Sequence, residues 1–364
     1  MSSVSDLDPA GTDLVESGLV ESGLAESGLA ESGRAESDLP GPFVAWVRRF
    51  GLEGLIRGPL LRTVRVWADY CSPPGASEAA MSTAYADLAL WFFYLDDYEG
   101  QDFELLFDAC AQILDRADVG EPLLDGAQPT LESSESAPPG LLPAFADVVT
   151  QIQAHGEARA TRYIQSRRDS LDKIRARIRV SRDPHCPAFD YRAYYDLRMV
   201  SVYVHQWVVL WEIVGGFCLD EGQRALPEVT EARRAVTAWH ILQNDMRSVE
   251  RDMRAGSPNL VLLHAEHEAP DIHASVAEIR GLFDEELENF RAAQATVAAS
   301  GAEGGWPDGA MRRYFELLEI CLTGGERSFW EISERYDWAA LEALLEQGEP
   351  AATALSAAGA QAEA

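Results

Sequence analysis

The hydrophobic and polar positions change rhythm twice along the chain. Over residues 1–40 a pentad, Glu-Ser-Gly-Leu-Ala/Val, repeats from Glu16, loses its Leu to Arg34 and decays at Glu36-Ser37-Asp38. A period of five fits neither a helix nor a strand, and Gly recurs in nearly every unit. Such a stretch buries too little to fold and predicts a disordered acidic tail, closed by Pro40-Gly41-Pro42. From Phe43 apolar residues return every three or four positions, which predicts helices. They fall at about 43–52, 59–71, 77–98, 102–117, 141–181, 189–216, 228–254, 270–299, 307–323 and 326–338. Gly215-Gly216 interrupts the sixth, Asp183-Pro184-His185-Cys186-Pro187 breaks the chain before it, and the Pro-, Gly- and Ser-rich stretch Val119 to Gly140 reads as a loop. Strand-like alternation is almost absent, and β-branched runs such as Val200 to Val209 sit inside helical periodicity. The pattern therefore predicts an all-α fold over residues 43–340. The repeat tail, 1–42, precedes it, and an Ala-rich segment, 341–364, follows.

Charge narrows the function classes. The net charge is −30, which excludes nucleic acid as the main partner because phosphate backbones need a basic surface. The tail holds nine acids against Arg34, so the folded part stays strongly acidic. Nine basic residues between Arg159 and Arg182 read as a solvated helix face paired with acids. Five scattered cysteines without Cys/His zinc spacing predict a reduced, cytoplasmic setting. No signal-like segment and no apolar run of about 18 residues appears, so no stable membrane insertion is expected.

Two polar stretches carry candidate chemistry. Asn244, Ser248 and Asp252 are spaced i, i+4, i+8 and share one helix face. An amide oxygen, a hydroxyl and a carboxylate are hard ligands of the kind Mg²⁺ takes, and the fork of Arg251 beside them suits phosphate. Alone, such a face reads as a wet polar stripe. The second stretch, Asp96-Asp97-Tyr98-Glu99-Gly100-Gln101-Asp102, ends an apolar aromatic helix. Its carboxylates repel one another unless they share a cation. Asp96 and Glu99 share a face, and Asp102 reaches the same ion only if the helix breaks at Gly100. His264 and His267 read as surface polar residues rather than a metal pair.

An aromatic helix ending in Asp-Asp, then Asn-Asp-x-x-Ser-x-x-x-acid about 150 residues later, resembles the bacterial class I terpene synthases (terpene cyclases). Two more landmarks fit. Arg198 lies 46 residues before Asn244, where the family carries a diphosphate-sensing arginine. Arg335-Tyr336, with Trp330 upstream, matches the family's closing Arg-Tyr. The resemblance covers about residues 43–340. It implies a single-domain helical bundle with a central apolar pocket, three Mg²⁺ ions and a prenyl diphosphate substrate, and it leaves room for a homodimer. It further implies metal ligation by Asp96, Asn244, Ser248 and Asp252, with Asp97, Glu99 or Asp102 as secondary ligands. Arg198, Arg251, Arg335 and Tyr336 would bind diphosphate, with Arg198 and Tyr336 assisting its departure. Phe92, Phe93, Trp207 and Trp330 would line the pocket, with Trp91 and Trp211 as further wall candidates. The implied reaction is cyclisation of farnesyl or geranylgeranyl diphosphate. Three departures stand out: Gly100 replaces the usual third acid, Asp252 the usual Glu, and Val202 the small residue often found four positions after the sensor. A longer spacing to Asp102 is similar to that of the methylisoborneol synthases, which act on methylated geranyl diphosphate. A chain-elongating prenyltransferase and a noncatalytic helical scaffold are the remaining alternatives.

Overall fold

The computed structural model describes residues 39–53, 59–92, 103–124, 138–182, 190–301 and 305–332. The repeat tail up to residue 38 and the Ala-rich segment, 341–364, lie outside the described residues. The compact unit begins at Leu39.

Among the described residues there are thirteen helices and no strand: α1 (Gly41–Arg49), α2 (Pro59–Tyr70), α3 (Glu78–Leu90), α4 (Phe103–Asp118), α5 (Leu141–Gln153), α6 (Glu157–Arg182), α7 (Tyr191–Ser201), α8 (Val204–Val214), α9 (Glu221–Arg224), α10 (Pro227–Ala255), α11 (Leu260–His267), α12 (Ile272–Ala298) and α13 (Gly309–Glu331). Their starts follow from local chemistry. Ser77, Asp190, Asp271 and Asp308 each accept a hydrogen bond from the backbone N–H three residues on. Asp220 closes a capping box with Gln223, and Pro227 occupies the first turn of α10, where its missing N–H costs nothing.

Helix α8 is buried on nearly every side, with Trp207, Val208, Val209, Leu210, Trp211 and Ile213 enclosed and Gln206 and Glu212 enclosed with them. It can be so because α3, α6, α10 and α13 all pack against it. The basic half of α6 is paired with the acids of α4: Arg168 with Asp115 and Asp118, Arg175 with Asp108, and Arg179 with Glu104. Arg167, in the same run, is not part of a solvated face; it is fully buried.

The helices differ from the sequence reading in five places. The stretch expected as one helix over 141–181 is two, because Gly156 adopts φ +107°, a conformation that side chains resist. The helix expected over 189–216 also splits, at Val202. Conversely, the break expected between 307–323 and 326–338 is absent: α13 runs on through Gly324-Gly325 to Glu331, and 333–338 lie outside the described residues. A Cβ on Gly324 would stand 2.1 Å from the Tyr70 carbonyl oxygen, and one on Gly325 2.4 Å from His240 Nε2. These glycines permit a close helix crossing of α13 on α2 and α10; they do not end a helix. Helix α11 falls outside every expected helix, being only eight residues long, with a first half, Leu260 to Leu263, that is apolar without alternation. Finally, the helix expected over 77–98 is regular to Leu90 and widens to a π-type turn at Trp91-Phe92.

Candidate active site

Helix α10 runs 29 residues from Pro227 to a left-handed cap at Gly256, φ +63°. Its long amphipathic run places Asn244, Ser248 and Asp252 on one face. Ser248 Oγ donates to Asp252 Oδ2 at 2.6 Å. Asn259 Nδ2 donates to the same oxygen at 2.9 Å and to the Asp245 carbonyl at 2.8 Å. Arg251 grips the other carboxylate oxygen through Nε and Nη2, at 3.0 and 2.9 Å. Both oxygens of Asp252 are therefore engaged, and the cation expected to meet diphosphate is held beside the candidate metal ligand.

Arg198 reaches this face from the last turn of α7. One nitrogen, Nη2, donates to Asn244 Oδ1 at 2.9 Å and to Asp245 Oδ1 at 3.0 Å. Asp245 is buried, and its second oxygen accepts from the Leu260 backbone N–H at 2.9 Å. Burial pushes the Asp245 carboxyl above the usual carboxylate range, against the lowering effect of Arg198. The arginine thus stands between a neutral amide and a buried carboxylate, both on the helix that carries the oxygen face.

The helix break follows four residues after Arg198. Val202 is extended, at φ −70° and ψ 138°, and Tyr203 starts α8. Any residue adopts that conformation, so the break needs no glycine. The small residue missing at this position is therefore dispensable for the break itself.

The opposite side of the expected clamp is not described: Phe93, Asp96, Asp97, Glu99 and Asp102 lie outside the described residues, as do Arg335 and Tyr336. Of the expected wall aromatics, Trp91, Phe92, Trp207 and Trp211 are buried. Trp207 Nε1 donates to the Cys71 carbonyl at 2.9 Å, so its polar edge is satisfied within the core. Trp330 is 58% exposed, which departs from a buried wall. The Arg247 guanidinium lies 4.4 Å from the centroid of its indole, a cation–π contact that ties α10 to the end of α13. His264 also departs from expectation: it is buried, edge-on to Tyr191, with Nε2 3.4 Å from Glu278, whereas His267 is exposed. A cavity of about 510 Å³ lined by Tyr191, His264, Glu268, Glu278, Leu282 and Glu285 opens there. Its glutamates make it unlike the apolar pocket expected at the centre.

The donor set on α10 fits a hard divalent cation. Asn244 Oδ1, Ser248 Oγ and Asp252 are all oxygens, with one formal negative charge and no sulfur or imidazole. Ser248 can keep its proton on Asp252 while offering a lone pair. Among the described residues no three His, Cys, Asp or Glu gather into a metal-binding group. A set with a single acid is not expected to form one.

Sequence reading missed Asn259 and Asp245. The first had a signal: an Asn directly before the apolar run Leu260 to Leu263 is a helix N-cap pattern. The second had none, since its role rests on a long-range pairing with Arg198.

The sequence joins this geometry to a known family. The model described as terpene synthase family 2, C-terminal metal binding, matches residues 87–289, and the chain belongs to that family. It is a class I terpene synthase, a lyase. No curated protein matches the sequence. The fold is similar to linalool/nerolidol synthase from Streptomyces clavuligerus in complex with 2-fluorogeranyl diphosphate, with a TM-score of 0.66 and 21% identity over 84% of this chain and 95% of that one. It is similar to 2-methylisoborneol synthase from Streptomyces coelicolor A3(2) in complex with Mg²⁺ and 2-fluoroneryl diphosphate, with a TM-score of 0.62 and 17% identity over 76% and 85%. Germacradien-4-ol synthase from Streptomyces citricolor gives 0.60 and 16% over 81% and 92%. At these identities the likeness concerns the fold. Among the described residues no helix is long and apolar enough to cross a membrane.

Proposed function

We propose that this enzyme ionises a linear prenyl diphosphate in the presence of Mg²⁺ and cyclises it, releasing diphosphate. Farnesyl diphosphate is the first substrate to test and geranylgeranyl diphosphate the second, giving a sesquiterpene or a diterpene. The observation that supports the reading is the reach of Arg198 from α7 to the Asn244 face of α10. A diphosphate needs cations beside a metal-ligating oxygen face, and that pairing brings the two together.

Asn244, Ser248 and Asp252 hold metal from one side. Asp96 holds it from the other, with Asp97, Glu99 or Asp102 as secondary ligands and three ions in all. When bound, Mg²⁺ neutralises charge that develops on the departing diphosphate. Arg198 turns its donors from Asn244 and Asp245 toward the diphosphate oxygens. Arg251, Arg335 and Tyr336 add further donors. Phe92, Phe93 and Trp207 contribute apolar surface that keeps water from the carbocation.

Purified enzyme is incubated with each prenyl diphosphate from C10 to C25, with and without Mg²⁺, and the extracts are read by mass spectrometry. A metal-dependent C15 or C20 terpene supports the reading. No product from any of them overturns it. Methylated geranyl diphosphate is a second reading, supported by the spacing to Asp102, and joins the same series. Added isopentenyl diphosphate yields longer chains only if the enzyme is an elongating prenyltransferase.

A further inference from the structure

Outside the α10 site, a buried polar cluster centres on Asp87, on α3. Its side chain is 0% exposed, and that of Arg167, its ion-pair partner on α6, is 1% exposed. Asp87 Oδ1 accepts from Arg167 Nη2 and from the Tyr163 hydroxyl, and Oδ2 accepts from the Tyr203 hydroxyl. All three donors come from other helices: Tyr163 and Arg167 from α6, and Tyr203 from the start of α8. The remaining Arg167 nitrogens, Nε and Nη1, have no hydrogen-bond partner. The guanidinium instead lies over three rings, 5.6 Å from Trp91, 5.3 Å from Tyr163 and 5.7 Å from Tyr203. Trp91 and Tyr203 are themselves in contact, with centroids 5.0 Å apart.

A permanent guanidinium in the core is strongly unfavourable unless a carboxylate answers it. A core that needed only bulk would be better served by apolar side chains, so a buried ion pair whose carboxylate is filled by three donors points to specificity of arrangement. What it arranges is visible in the chain. Tyr203 follows Val202, the extended residue that separates α7 from α8, and Arg198 lies five positions before it. Trp91 forms the π-type turn with Phe92, directly before the stretch that carries Asp96. The cluster therefore clamps two junctions that each lead to a residue of the proposed site. It does so with net charge near zero, because Asp87 cancels Arg167 beneath rings that stabilise cations with their faces.

We propose that Asp87 is a positioning residue for cyclisation: by neutralising Arg167 and holding the Tyr203 hydroxyl, it fixes the Trp91–Tyr203 ring pair at the α7–α8 break and so sets product outcome. This inference rests on the prenyl diphosphate reading, since it needs a carbocation to steer. It separates the cluster's task from diphosphate recognition, which stays with Arg198 and α10.

Tyr203→Phe removes one hydroxyl and keeps the ring. The doubly neutral variant Asp87→Asn with Arg167→Gln removes the charges without stranding either, which keeps it able to fold. Both are compared with the unsubstituted enzyme on the substrate it turns over, well below their melting temperatures. The readouts are kcat, KM, product ratios by mass spectrometry, and the thermal shift on adding Mg²⁺ with inorganic diphosphate. The expected result is a KM and a thermal shift within twofold of the unsubstituted enzyme. In both variants kcat should fall about tenfold, with a severalfold rise in products quenched early by water. Asp87→Asn alone, which strands the Arg167 charge, should lose more turnover than the double variant. Product ratios and kcat within twofold of the unsubstituted enzyme, in both variants, would overturn the proposal and leave the cluster a packing device. Failure of the unsubstituted enzyme on every prenyl diphosphate would instead overturn the underlying reading.

Discussion

Two buried arginine–aspartate pairs lie within reach of the same helix break, and they are built differently. Arg198 and Asp245 meet at 3.0 Å, but the same Arg198 nitrogen also touches the Asn244 amide oxygen, on a face made of further oxygens. Arg167 and Asp87 are closed off: two phenols fill the carboxylate, and three aromatic rings cover the guanidinium. The first pair can exchange one acceptor for a ligand oxygen at little cost. The second has no acceptor to exchange, since replacing Asp87 would strand a charge. An arginine held against neutral and shared acceptors is suited to recognition, and one sealed by a private carboxylate is suited to holding geometry.

The largest expected effect tests the open pair. Arg198→Met should lower turnover by at least about 100-fold in steady-state assays, as removal of a charge-stabilising donor does. Turnover within tenfold of normal would reduce Arg198 to a counter-ion for Asp245 and erase the contrast. Next comes the support of the oxygen face. Asn259→Ala leaves the candidate ligands in place but removes one of the two donors to Asp252 Oδ2, leaving Ser248 Oγ. The Mg²⁺ concentration giving half-maximal thermal stabilisation with diphosphate should rise about 10- to 100-fold, the usual cost of losing an outer partner. An unchanged midpoint would mean that Asp252 is held by Ser248 and Arg251 alone.

Smaller effects sharpen what sealing means. His240 is the limiting case, a buried ionisable group with no counter-charge. Its ring nitrogens lie 2.8 and 3.1 Å from the carbonyls of Val236 and Cys321, among Trp67, Trp239 and Phe329. Burial pushes its pKa down to about 4, from 6.5. The unfolded chain therefore binds a proton that the native state refuses between those values. Stability from this group is complete above pH 6.5 and is lost as pH falls toward 4, at about 1.4 kcal/mol per pH unit. Denaturant titrations across that window should show a slope smaller by this amount in His240→Gln. At the far end, Arg254→Ala breaks an exposed i,i+4 pair with Glu250. It should change the denaturation midpoint by no more than about 0.5 kcal/mol in stability.

Much of this was legible in the pattern of residues. Helical spacing placed Asn244, Ser248 and Asp252 on one face because 3.6 residues per turn is a local property. The family resemblance, not spacing alone, singled out Arg198 as a diphosphate sensor; its pairing with Asn244 is a feature of the structure. The errors share a cause. Apolar periodicity runs straight through Val202, so nothing local marked the break there. Gly324-Gly325 read as a helix stop because a glycine's effect depends on its neighbour, and the neighbours, Tyr70 and His240, come from distant helices. His264 was placed at the surface because i, i+3 spacing says nothing about what covers a face. Nor does spacing record that the Trp330 indole, expected in the pocket wall, is a platform for Arg247.

The sequence by itself determined the all-helical class, the oxygen face of α10 and the acidic character, since these depend on residues near one another in the chain. Tertiary structure decided which charges are paired and which are sealed. It set Arg198 against Asn244 and Asp245, brought Asn259 to Asp252, and enclosed Arg167 with Asp87. The physical reason is that an ionic group's behaviour depends on its desolvation and on the partners it meets. Those partners arrive from helices whose order in space no local pattern records.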